Sequence, residues 1–354
     1  MKRLYLMLIV SLILCCISMA QPPEDPLAKS STESDTVEVY DFFAENEPLE
    51  MILSFNLREF LKTKLKPEFV NAMLQIRFNE NDSVIIPVTI KARGEMRRNY
   101  CQFPPVLLKF NNKTQINGGY VKGSLKIVTP CMLSGNYQDY VLREYVVYQA
   151  YNRITPYSLR TRLINLKLSD TQNPDKEYDV IGFVIEDADD MAKRNNAILV
   201  KNKNLGQVNM VPGHMNRLAL FNFMVGNTDW AVPGLHNIKL IKPLNEFTNK
   251  AIPVPYDFDY TGLVNASYAA PPEALPIKSV SERYYLGLCE NNNNMQSTIE
   301  EFRNSKGEIL GTIQDFGLLS DRNKKIAINY IDGFYKMYQY DQALIHVLNR
   351  TCKR

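Results

Sequence analysis

Residues 226–237 read GNTDWAVPGLHN, and residues 252–262 read IPVPYDFDYTG. The first segment sets Asp229 eight residues ahead of Asn237; the second alternates Asp257 and Asp259 with aromatic residues just before Gly262. Phosphoryl transfer requires such parts. One carboxylate orients or deprotonates an acceptor hydroxyl, while an Asn and a second carboxylate hold Mg²⁺ or Mn²⁺ against nucleotide phosphates. Both segments fall in residues 226–290, an irregular stretch rich in Pro, Gly, Asn and Tyr, and a long connection of this kind inside a domain is usually functional.

Plainer employments exist for the same residues. Asp257 and Asp259 also suit a structural Ca²⁺ or turn caps. Asp229 could cap a helix, although Pro233 and Gly234 leave little room for one. His236 reads as a residue that orients the loop by hydrogen bonding, and Trp230, the only Trp, packs the loop or meets a substrate.

Upstream, Lys126 interrupts the apolar run Ser124-Leu125-Lys126-Ile127-Val128, and eighteen residues later Glu144 sits in QDYVLREYVVYQAYNR (138–153), whose apolar positions have helical spacing. A buried strand tolerates a Lys only when something pairs with it. A strand Lys oriented by a helix Glu is the nucleotide grip of kinase-type folds, so Lys126 and Glu144 are expected to meet. A Lys snorkelling from an edge strand is the competing reading. Arg93, Arg97 and Arg98 form a basic cluster, read first as exposed surface and second as a contact for phosphates or an acidic partner. Glu186 and Asp187 fall where a hinge between two lobes would run, and an N-cap accounts for Asp187 equally well.

The order Lys126, Glu144, Asp229, Asn237, Asp257/Asp259 resembles the spore-coat CotH-type kinase-like superfamily and, more distantly, atypical kinases of the HipA type. Arg93-Gly94 after a strand, Arg143 on the helix and the strand-ending Glu186 are further CotH-like features. The chain is similar over about residues 85–290 to exported bacterial proteins carrying RGEMRRNYCQFPP, LKIVTPC, LREYVVY and PYDFDYTGLVNASYA. It departs from common protein kinases in its longer Asp229-to-Asn237 spacing and in having no GxGxxG loop before the Lys126 strand. The resemblance implies a catalytic Asp229. It implies further that Lys126, Glu144, Arg93 and Glu186 bind ATP or another nucleotide. Asn237, Asp257 and Asp259 would hold Mg²⁺ or Mn²⁺, with either Asp as the principal ligand.

Composition agrees with a folded, exported protein. The chain has 354 residues, enough for about two domains, with 45% hydrophobic and 22% charged residues. Lys plus Arg exceed Asp plus Glu by 41 − 38 = 3, which disfavours a nucleic-acid binder held by phosphate electrostatics. Residues 1–20 read as a signal peptide: Lys2 and Arg3, an apolar run from Leu4 to Ile17 too short to span a bilayer comfortably, then Ser18-Met19-Ala20. Cleavage leaves Cys101, Cys131, Cys289 and Cys352, an even set that suggests disulfides in an exported chain. The pairs Cys101–Cys131 and Cys289–Cys352 are favoured because the partners are near in sequence or both C-terminal. With no CxxC and only three His, a zinc site is improbable.

The sequence thus predicts an α+β, protein-kinase-like two-lobed fold. Residues 1–20 are the signal peptide and 21–45 a flexible linker. An N-terminal antiparallel β lobe with one helix fills 46–186, and a mainly helical C-terminal lobe with the catalytic loops fills 187–354. Strands are expected over 49–56, 72–78, 84–92, 106–111, 124–129, 163–168 and 178–185, with helices over 138–153, 189–194, 216–225, 297–303 and 320–348. The expected function is an exported ATP- and Mg²⁺-dependent phosphotransferase in the periplasm or at the cell surface, acting on a protein or small molecule. The alternative is a non-catalytic kinase-like binding module of the envelope. A carboxylate-pair hydrolase is less attractive, because no second acid is suitably placed.

Overall fold

In β1 (Leu49–Phe55) every second residue is buried and the others are not, the pattern of a strand with one face on a core. The computed structural model describes residues 39–354 apart from 117–118, 134, 246–247, 290–291, 340 and 354. The expected signal peptide, 1–20, and residues 21–38 of the expected linker lie outside the described residues.

After β1 come α1 (Leu57–Thr63), β2 (Val70–Arg77), β3 (Ser83–Ala92), α2 (Glu95–Tyr100), β4 (Val106–Phe110), β5 (Thr114–Ile116), β6 (Gly119–Val121) and β7 (Ser124–Val128). Then follow α3 (Tyr137–Ile154), β8 (Thr161–Asp170), β9 (Asn173–Ile185), α4 (Ala188–Arg194), β10 (Ala197–Val200), α5 (Pro212–Val225), β11 (Ile238–Pro243) and β12 (Ile252–Pro255). Helices α6 (Asn292–Asn304), α7 (Lys306–Gln314), α8 (Asp321–Tyr335) and α9 (Asp341–Asn349) complete the chain.

The first sheet is a closed barrel in the order β1-β2-β3-β4-β7-β9-β8. Its neighbours are antiparallel except at the closure, where β1 runs parallel to β8 with Leu49 opposite Ile164 and Phe55 opposite Asp170. The expected mainly antiparallel lobe has its one parallel strand pairing among the described residues at this seam: a chain that returns through α3 can lay β8 beside β1 in the same direction. Leu53, Leu74, Ile86, Ile90, Leu108, Ile127 and Ile164 fill the barrel. Each such side chain contributes about 1.5–3 kcal/mol by leaving water.

Among the described residues three helices, rather than one, lie within 46–186. Helix α3 is buried on most sides, because it is wedged between the barrel and the helices that follow. Tyr145 meets Phe183 of β9 and Phe316 after α7, while Tyr151 meets Phe221 of α5. Residues 39–45, expected in the linker, are also part of the folded body. Phe42 is buried, and Arg162 donates to the carbonyls of Phe42 and Glu47 and pairs with Glu45 at 2.8 Å.

The C-terminal part carries a small antiparallel sheet, β10-β11-β12, two of whose strands fall in the stretch expected to be irregular. The expected single helix over 320–348 is broken into α8, a 3₁₀ turn and α9. Both expected disulfides are present: Cys101–Cys131 joins the end of α2 to the loop after β7, and Cys289–Cys352 fastens the C-terminus. Among the described residues no helix is long and apolar enough to cross a membrane.

One titratable group in this part sets a pH dependence. His214, at the start of α5, accepts from Arg217 through Nδ1 at 2.7 Å, so it is neutral with its proton on Nε2. Burial, then the Arg217 charge, pushes its pKa down to about 4. The unfolded chain takes up a proton near the ordinary value of about 6.5, which the folded state refuses. Stability is therefore expected to fall as pH drops from about 6.5 toward 4. Urea unfolding across that window should show a shallower decline for His214→Gln than for wild type. Parallel curves would remove His214 from the acid response.

Candidate functional site

Backbone pairing explains how residues thirty positions apart come together. Strand β11 begins immediately after Asn237 and β12 ends just before Tyr256, with Ile238 opposite Pro255. The Tyr256 N–H donates to the Asn237 carbonyl at 3.0 Å, so Asn237 and Asp257 leave one end of the sheet side by side. Residues 229–237 fold back through an Ala231–His236 bridge, and buried Trp230 anchors that loop in the core.

Helix α5 ends at Gly226, whose φ of 68° is left-handed. The Gly262 N–H donates to the Gly226 carbonyl and Leu263 to Val225 at 3.0 and 3.1 Å, so the two loops are joined at their bases. Tyr330 of α8 closes on both glycines. Asn227 accepts from the Asp229 N–H and donates to Asn222 at 2.9 Å, which sets the turn leading to Asp229.

The Asp229 carboxylate is held on both oxygens. His236 Nε2 lies 2.6 Å from Oδ1, and Asn237 Nδ2 donates to Oδ2 at 2.9 Å and to the Asp229 carbonyl at 2.8 Å. His236 is thus the expected loop-orienting residue. Leu235, Asn237 and Asp257 all have φ between 50° and 63°. Left-handed backbone is uncommon outside Gly and tends to cluster at functional sites.

Asp229, His236, Asn237, Asp257, Asp259 and Arg93 line one cleft of about 440 Å³, with Gly94, Arg97 and Tyr260 beside them. Arg93 makes no side-chain hydrogen bond or ion pair among the described residues. On the inner wall, Arg97 is buried, against the exposed-surface reading of the basic cluster. Its Nη2 lies 2.8 Å from Glu144 and 2.7 Å from Asp259. Burial opposes the Arg97 charge, but Asp259 and Glu144 outweigh it and hold the guanidinium firmly protonated.

Glu144 is 1% exposed, and burial pushes its pKa up to about 7 against the pull of Arg97. Burial likewise raises Asp259, with Arg97 opposing. Asp257 is held through its backbone N–H, which donates to the buried hydroxyl of Tyr148 on α3 at 2.8 Å. Tyr268 stacks in a cluster with Tyr100, Tyr137, Tyr140 and Tyr260 at the cleft's edge, and burial raises its pKa well above the usual tyrosine value.

One expected placement is corrected. Lys126 does not meet Glu144: it reaches Asp187 at 3.7 Å, because Arg97 from α2 already occupies Glu144. Lys126 nevertheless keeps cationic company. Burial lowers its pKa, Asp187 resists, and Arg93 and Lys239 lower it further. Glu186, expected at the nucleotide, is 1% exposed and absorbed by two arginines. Arg160 Nε and Arg194 Nε donate to Oε1 at 2.9 and 3.0 Å, while Arg160 N and Arg194 Nη2 donate to Oε2 at 3.0 and 2.9 Å. Asp187 is the N-cap of α4, accepting from Asp189 N at 2.9 Å.

Sequence reasoning missed Arg97 as a buried residue, together with Lys239 and Tyr268. The only available signal for Arg97 was its closeness to Cys101, since a disulfide four residues away anchors the short helix that carries it.

No family model and no curated protein matches this chain. Among solved structures it is similar to the crystal structure of a Helicobacter pylori proinflammatory kinase, CtkA, with a TM-score of 0.40 and 14% identity. The match covers 71% of this chain and 96% of that one.

Proposed function

We propose that this protein is an exported, kinase-like phosphotransferase that uses ATP or another nucleotide with Mg²⁺ or Mn²⁺. Its acceptor is a hydroxyl on a protein or small molecule. The observation that carries the reading is the gathering of Asp229, Asn237, Asp257 and Asp259 with Arg93 in a single cleft.

Asp229 is the base. Held by His236 and Asn237, it keeps its charge directed at an incoming hydroxyl and accepts that proton as the oxygen bonds to phosphorus and the nucleoside diphosphate departs. Asn237 spends its amide N–H groups on Asp229, which leaves its carbonyl oxygen for a cation. With Asp257 and Asp259 it makes a hard-oxygen donor set that fits Mg²⁺ or Mn²⁺. The bound cation would neutralise charge on the transferred phosphoryl group. Arg93 and Lys126, with Lys239 on β11 nearby, supply positive charge for the nucleotide phosphates.

The non-catalytic reading draws on one observation: Lys126 lacks the Glu144 partner of a kinase grip. Nucleotide binding separates the two. Wild type should gain stability with ATP only when Mg²⁺ or Mn²⁺ is present, by about 2.7 kcal/mol at 100 times the Kd. Lys126→Ala should weaken calorimetric nucleotide affinity about 10- to 100-fold, the worth of one charged hydrogen bond. If folded wild type binds no nucleotide under any metal condition, the phosphotransferase reading falls.

A further inference from the structure

Behind the open part of the cleft, three carboxylates face one another with a single cation at ion-pair distance among the described residues. Glu144, Asp257 and Asp259 each offer an oxygen within 4.8 Å of the others. Arg97 takes Oε2 of Glu144 and Oδ2 of Asp259, and it contributes one positive charge against three potential negative ones. The groups in direct contact are therefore short by two charges when all three carboxylates are ionised. Glu144 Oε1 is fully enclosed and has no hydrogen-bond partner. A buried carboxylate oxygen left without a donor is strongly disfavoured, so a cation, a water or a proton is called for there.

We infer that Glu144, Asp257 and Asp259 form a divalent-cation site in which Glu144, projecting from α3, is a ligand. Arg97 is its fixed counter-charge. The donors are oxygens alone, which selects Mg²⁺, Mn²⁺ or Ca²⁺ over Zn²⁺ or Cu²⁺. The spacing also suits them, since two oxygens on one ion at about 2.1–2.4 Å lie no more than about 4.2–4.8 Å apart. Arg97 occupies only one oxygen on each of two ligands, so cation and guanidinium can be present together. A dication brings the cluster to neutrality.

This site shares Asp257 and Asp259 with the proposed nucleotide-bound metal and extends that reading inward by Glu144, but it needs no nucleotide to form. The test is titration of the full folded protein with Mn²⁺ alone, following free Mn²⁺ by electron paramagnetic resonance and melting in parallel. Wild type should retain Mn²⁺ and melt higher with it. Glu144→Gln and, separately, Asp259→Asn should each weaken Mn²⁺ binding at least tenfold and lose most of the melting shift. Should Glu144→Gln not fold, Glu144→Asp keeps the charge while withdrawing the oxygen by one methylene, and it should weaken Mn²⁺ binding in the same direction.

Absence of Mn²⁺ binding by wild type, or equal affinity in a folded Glu144 variant, overturns the inference; the latter result would mean that Glu144 is kept neutral by a proton instead. Loss of nucleotide binding with Mn²⁺ binding intact would sink the phosphotransferase reading and leave this site standing.

Discussion

Asp229→Asn is expected to lower phosphate transfer about 10²- to 10⁴-fold, the usual contribution of a positioned base, equivalent to about 2.7–5.4 kcal/mol in the barrier. The substitution is nearly isosteric. The introduced amide can still present its oxygen to Asn237 Nδ2 and its N–H to His236, so the loop built around those 2.9 and 2.6 Å contacts keeps its shape. What disappears is the charge that, under the proposed function, orients the acceptor hydroxyl and takes its proton. Calorimetric nucleotide affinity should stay close to that of wild type, while single-turnover transfer collapses. Transfer at the wild-type rate would show that Asp229 is only a structural member of its loop.

Gly226→Ala should destabilise the folded protein by roughly 2–5 kcal/mol, from two independent causes. The left-handed φ of 68° disfavours any residue with a Cβ, and the space a Cβ would take is already filled. It would fall on the Tyr330 hydroxyl, with the ring carbon behind it at 3.1 Å and the Gly262 nitrogen at 3.2 Å. Tyr330 cannot easily retreat, because its hydroxyl donates to the Ser281 carbonyl at 3.1 Å and Arg283 lies over its ring. Tyr330→Phe removes the colliding oxygen. In a denaturant double-mutant cycle the pair should therefore be less unstable than the two single changes added together. A Gly226→Ala chain within about 0.5 kcal/mol of wild type, the range of an ordinary surface change, would refute this account of the loop bases.

The sequence made the elements with a regular period readable. Alternation in Leu49–Phe55 and Val84–Ala92 marks barrel strands, because burial on one face writes itself into every second position, and the apolar residues at helical spacing over 138–153 mark α3 even though that helix is buried on most sides. The Asp and Asn residues of the two loops could be singled out by residue type and order, although the Pro-rich neighbours that suggested irregular backbone in fact include strand β12. The parallel seam between β1 and β8 was not readable, since local alternation is the same whichever way a neighbour runs. Nor was the exchange of partners around Glu144. Arg97 sits on a six-residue helix too short to show a period, and its burial depends on Glu144 and Asp259, which lie far along the chain. Glu186 directly follows strand β9, but its two arginines come from residues 160 and 194, whose approach only the folded chain defines.

Closure of the barrel has a bearing on how an acceptor could be held. Joining β8 back to β1 leaves the barrel without a terminal strand, so an extended peptide cannot add itself at that seam. The small sheet is little better on one side: Pro253 and Pro255 withhold two N–H groups from β12, the strand that leads to Asp257. Under the proposed function, a polypeptide acceptor at the cleft would then be held chiefly through side chains, with Tyr260 on the cleft wall and Tyr268 packed beside it. Such recognition reads residue type rather than backbone, and it would let acceptors without any peptide backbone compete on equal terms.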